Sequence, residues 1–91
     1  MKTIQVTATF GVQTEVPLDA EGRLRVNTSI QHLRPSTMWY ACVCLPNDTP
    51  IADAYVPLVS TKEEVQEALK KLLRLTEAKY GCECVVMRAF V

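Results

Sequence analysis

Met38-Trp39-Tyr40-Ala41-Cys42-Val43-Cys44-Leu45 carries no charge and is apolar at odd and even positions alike. Successive side chains of a strand point to opposite faces of the sheet. A strand with two apolar faces is covered on both sides, which marks it as central. The stretch ends at Pro46-Asn47-Asp48-Thr49-Pro50, a turn by composition. Residues 51–58 therefore return beside it, and Pro57 pushes the far end of that return strand toward a sheet edge.

Toward the N-terminus, Ile4, Val6, Ala8 and Phe10 alternate with Thr3, Gln5, Thr7 and Thr9, a half-buried strand with threonines on its wet side. Gly11 interrupts the pattern. Val12, Thr14, Val16 and Leu18 resume it, and Asp19-Ala20-Glu21-Gly22 has the Asp-first, Gly-last order of a turn. Leu24, Val26, Thr28 and Ile30 then alternate with Arg23, Arg25 and Asn27, so residues 12–30 are predicted to form a hairpin. Residues 31–37 have no period and contain a proline. Unpatterned loops are where binding residues gather, which singles out His32 and Arg34.

Toward the C-terminus lies a helix. Ser60 followed by Glu63 has capping-box spacing. Val65, Ala68, Leu69, Leu72 and Leu73 make one apolar stripe at the 3.6-residue period. Glu63, Glu64 and Glu67 precede Lys70, Lys71, Arg74 and Lys79, the order the helix dipole favours. Gly81 suits the C-terminal cap, giving a helix of about 20 residues and about 30 Å. Residues 82–91 are again apolar on both faces apart from Glu83 and Arg88. They are expected to insert as a second central strand beside 38–45. The predicted fold is α+β, in one domain over residues 1–91. An antiparallel sheet of five or six strands in the order βββββαβ carries one long amphipathic helix on one face.

The 91 residues include ten basic and ten acidic side chains, for a formal net charge of zero. Nucleic-acid binding calls for a basic field, so that class is not expected. No run approaches the length of a membrane span, and no basic amphipathic helix is present, so a membrane role is not expected either. The N-terminus alternates instead of forming the continuous apolar run of a signal peptide, which implies a cytoplasmic protein with reduced thiols.

Two Cys-x-Cys pairs, Cys42/Cys44 and Cys82/Cys84, carry the chemistry. Each puts two sulfurs on one strand face. If the two strands are antiparallel neighbours, Cys42 faces Cys84 and Cys44 faces Cys82, with opposed Cβ atoms about 4.5–5.5 Å apart. The four thiols are then core side chains, one or two disulfides, or a zinc site formed by all four. Zinc sites draw their cysteines from Cys-x2–4-Cys turns, whereas i and i+2 on a flat strand project in parallel and converge only if a bulge intervenes. Core packing is the reading that intracellular context favours, and no cofactor is expected.

An enzyme built on Cys42 and the single histidine, His32, needs the two within hydrogen-bond reach. No phosphate loop, zinc-protease motif or nucleophile elbow is present. Asp53, within Ala-Asp-Ala, is expected to face solvent from an edge strand.

One apolar stripe covers one face of the sheet. The pattern leaves open which face that is, that of Tyr40, Cys42 and Cys44 or that of Trp39, Val43 and, on the last strand, Met87. The remaining face is left for the N-terminal strands or for a partner, and the partner reading takes it to be the Trp39 face. Trp39, Val43, Met87, His32 and Arg34 are the partner-binding candidates, since exposed Trp and Met have the composition of an interface hot spot. The expected function is a non-enzymatic protein-interaction module, a small adaptor or inhibitor that occludes another protein, or a homodimer. By size and class alone, small α+β proteins of phages and mobile elements, anti-CRISPR inhibitors included, have this build. The alternatives are a metal- or redox-responsive protein using the cysteines, or a small Cys/His enzyme.

Overall fold

A computed structural model describes residues 2–32 and 37–90. The strands are β1 (Thr3–Thr7), β2 (Gln13–Pro17), β3 (Leu24–His32), β4 (Met38–Cys44), β5 (Pro50–Pro57) and β6 (Cys84–Phe90), with helix α1 (Lys62–Tyr80) between the last two. The order is βββββαβ and the class α+β, as the patterning predicts. The strands divide into a β1–β2 ribbon and a four-stranded sheet of order β5-β4-β3-β6.

The sheet is mixed, not wholly antiparallel. β4 pairs antiparallel with β3 on one side and β5 on the other, so it is central as expected. Both of its edges are then occupied, and β6 takes the free edge of β3. The 19-residue helix, about 28 Å long, carries the chain back across the sheet before β6 begins. β6 consequently runs in the direction of β5. Since β3 and β5 are both antiparallel to β4, β6 lies parallel to β3. The expectation that 82–91 form a central strand beside β4 is overturned: β6 is an edge strand.

Residues 12–30 do not form the predicted hairpin. The Asp19–Gly22 turn exists, with the Gly22 amide donating to the Asp19 carbonyl at 3.0 Å. Asp19 also accepts from the Arg23 amide at 2.7 Å and from its guanidinium at 3.0 Å. The Arg23 amide above all holds its carboxyl below the usual range. However, β2 pairs back onto β1, from Thr3 opposite Pro17 to Thr7 opposite Gln13. Gly11, at φ 92°, belongs to the reversal between them, a backbone setting only glycine adopts freely.

The helix starts one residue later than the spacing predicts. Thr61 is the N-cap: its hydroxyl accepts from the Glu64 amide at 3.2 Å while the Glu64 carboxylate accepts from the Thr61 amide at 3.0 Å. Gly81, in the left-handed conformation at φ 65°, closes the other end. Val65 and Leu72 are buried as the stripe predicts, joined by Thr76, whose hydroxyl donates to the Leu72 carbonyl at 2.8 Å.

The core lies between the helix, the ribbon and one face of the sheet. It gathers Val6, Val16 and Leu18 from the ribbon side, Leu24 and Val26 from β3, Ala41 and Val43 from β4, then Leu45, Ile51 and Leu72. Thr28 opposite Val43 and Ile30 opposite Ala41 place the even residues of β3 and the odd residues of β4 on this helix face. The helix thus covers the Ala41 and Val43 face, which removes the premise that the Trp39 side of the sheet is open to a partner. The ribbon is fastened to the helix end where the Thr7 amide donates to the Tyr80 hydroxyl at 3.1 Å.

Leu24 is fully buried whereas Met87 is 57% exposed. Leu24→Ala is expected to cost about 3 kcal/mol in urea unfolding, and Met87→Ala no more than about 0.5 kcal/mol. Equal losses would mean that β6 is a core strand after all.

Candidate functional site

The parallel placement of β6 separates the two cysteine pairs. β3 stands between β4 and β6, so Cys42 lies opposite Ser29 and Cys84 opposite Leu24. The four thiols do not meet. Among the described residues no group of three or more His, Cys, Asp or Glu side chains is arranged to hold a metal ion.

Cys82 and Cys84 pack against the core near α1. The Cys84 amide donates to the Glu77 carboxylate at 2.8 Å. Burial, with the Glu77 charge behind it, raises both thiols, Cys84 to about 11.

Cys42 and Cys44 lie on the opposite face, which the helix leaves uncovered. Their sulfurs are 3.0 Å apart. Strands β4 and β5 slip register between Val43 and Cys44, with Ile51 as the extra residue. The extra residue is on β5, while β4 keeps its register with β3 through Cys44 opposite Asn27, so the two sulfurs meet on a strand that is not itself bulged. Burial first, then Cys42, then the Asp48 charge push the Cys44 thiol up to about 12. Beside them the Tyr40 hydroxyl donates to the Asp53 carboxylate at 3.1 Å, and its ring meets Tyr55 at 5.2 Å. Burial, then Cys42 and Asp53, raise the Tyr40 phenol above its ordinary range. Asp53 is exposed on edge strand β5, as predicted. A cleft of about 390 Å³ opens over this face between Ser29, Tyr40, the two cysteines, Asp48 and Phe90.

His32 does not serve these thiols. It lies opposite Trp39, three residues along from Cys42, or about 10 Å by strand rise, and on the other face. The raised thiols of Cys44, Cys82 and Cys84 are protonated at neutral pH, the reverse of an activated nucleophile.

The predicted partner-binding residues do not form one surface. Val43 is 0% exposed beneath the helix and is a core residue, which corrects its place on a binding face. Trp39 lies on the helix side, half-buried. Its indole donates to the Leu58 carbonyl at 3.3 Å and its ring tilts against His32 at 5.6 Å. Arg34 lies outside the described residues. Met87 is on the surface, within a patch that sequence reasoning missed.

That patch is β6. Val86, Met87 and Phe90 are 41%, 57% and 51% exposed; Val86 lies opposite Val26 on the helix side, Phe90 lies opposite Ser29 on the other, and Arg88 is the strand's single charge. The β3–β6 register slips between Val26 and Asn27, leaving Met87 as the unpaired bulge residue. The other edge, β5, begins and ends in proline and carries Asp53, both devices that discourage a further strand. The signal for the open edge was available in chain order: β3 and β5 directly precede and follow β4, and when both sequential neighbours pair with it the last strand is left an outer position.

No family model, curated protein or solved structure matches this chain. Among the described residues no helix is long and apolar enough to cross a membrane.

The raised thiols give stability a definite pH dependence. Cys44 and Cys84 lose their protons near 12 and 11 when folded, against 9.0 for an ordinary thiol. The unfolded chain ionises first, so their contribution is complete below pH 9 and is lost as pH rises toward 12. Urea unfolding across that range is expected to show falling stability, with a smaller fall in Cys44→Ala. An equal fall in that variant would mean that the Cys44 thiol is not raised by folding.

Proposed function

We propose that the protein is a non-enzymatic interaction module, an adaptor or inhibitor that binds another protein through the β6 edge and thereby occludes it. The observation that carries this reading is the exposure of Met87 and Phe90, which line one cleft with Arg88, on a strand with one unpaired edge among the described residues. Large apolar side chains exposed together mark interaction sites. An open edge also offers unpaired backbone groups to an extended segment.

The occupant is an extended segment of a different protein, apolar and carrying a carboxylate to meet Arg88. Self-pairing is disfavoured by charge. A two-fold arrangement centred on Met87 sets two Arg88 side chains about 8 Å apart by strand spacing and rise, within the screening length at physiological salt. It also sets bulge against bulge. A single charge and a single bulge discourage indiscriminate pairing and leave the apolar contacts to a partner that satisfies both.

The test is selection from a random peptide library on the immobilised protein, followed by amide NMR with the selected peptides. Enriched peptides are expected to be extended, apolar and acidic, and to shift the amides of Cys84–Phe90. Met87→Lys, a surface change, is expected to weaken them at least about tenfold, the loss of one interface anchor. Peptides that shift other residues and leave β6 unmoved would refute the site. A sedimentation-detected dimer that M87K dissolves would assign the edge to a second copy instead.

A further inference from the structure

Two thiols 3.0 Å apart on a half-open face are a chelating pair. They meet although β4 keeps its register with β3 through both positions. A disulfide fits this site poorly. It needs Cβ atoms about 3.5–4.5 Å apart, whereas alternate positions of a strand are separated by about 6.6 Å. A bound atom that bridges the sulfurs asks for no such contraction. Soft thiolate donors select soft centres. The surroundings also limit the charge of the product. Asp48 lies beside Cys44, Asp53 accepts from Tyr40, and Cys42 is buried. A net anionic complex is costly there, and a neutral one is not.

We infer that Cys42 and Cys44 form a two-thiol binding site for a soft thiophilic centre that takes two adjacent sulfurs and leaves a neutral product, trivalent arsenic being the simplest. With phenylarsine oxide, two S–H bonds and the As=O bond break and two S–As bonds form. The two protons leave with the oxygen as one water, and arsenic stays trivalent. The cleft over the pair admits the phenyl group between Tyr40 and Phe90. The cleft shares Phe90 with the β6 edge, but the two thiols lie on β4, so the arsenic test does not depend on the partner reading.

The probe is one equivalent of phenylarsine oxide on the reduced protein, read by intact mass. The expected product is a single adduct equal to one phenylarsenic less two hydrogens. It survives excess glutathione, a monothiol, and is released by dithiothreitol, a dithiol. Trypsin separates the two pairs, because residues 26–62 carry Cys42 and Cys44 while residues 80–88 carry Cys82 and Cys84. The arsenic is expected on the former. Cys44→Ser, at a half-buried position, should abolish the glutathione-resistant adduct, and the double variant C82S/C84S should keep it. Loss to glutathione in the unaltered protein, or arsenic found on residues 80–88, would overturn the assignment without reference to any variant's folding.

Discussion

The pairing of β4 on both sides is the constraint from which the rest follows. β3 and β5 each pair antiparallel with it, one along each edge. Backbone N–H and C=O groups of a buried strand must be paired, and these two neighbours satisfy them. With both of its edges paired, β4 has no place for β6. β6 therefore docks on β3, parallel to it, and forms the outer edge of the sheet. Separation of the cysteine pairs and exposure of one strand are two results of that single event.

Much of the fold was legible in the chain. The alternation of Ile4 and Val6 with their threonines, the proline-flanked turn after Leu45, and the capped stripe of Val65, Leu69 and Leu72 each act locally, and each appears where the residues place it. The N-cap moved from Ser60 to Thr61 because both residues offer a hydroxyl and a glutamate three positions on. Only the entry of the chain from β5 chooses between them.

The candidate site was less legible, because it depends on long-range order. An apolar strand reads alike whether it is sandwiched or exposed, so residues 84–90 passed for central. Which face the helix covers turns on two faces that both present apolar side chains to it. One holds Ala41 and Val43, small and flat enough for close helix contact, with Leu45 beyond them. The other holds Tyr40, Cys42 and Cys44, half-polar and able to tolerate water beside Asp53. Packing chose the first, which buried Val43 and brought Trp39 to the helix side. The sulfur contact at Cys42 and Cys44 is made by the side chains on an unbulged strand, and no spacing rule announces it.

Hydrogen exchange of the individual backbone amides of β6 tests the account most directly. A strand with one occupied edge protects the amides directed at β3 and leaves the alternate ones open to solvent. Slow and fast exchange should therefore alternate along Cys84–Phe90, interrupted at the Met87 bulge, while amides of β4 are slow throughout. Uniform protection of β6 in the isolated protein would contradict the account, since it would mean that the edge is already covered.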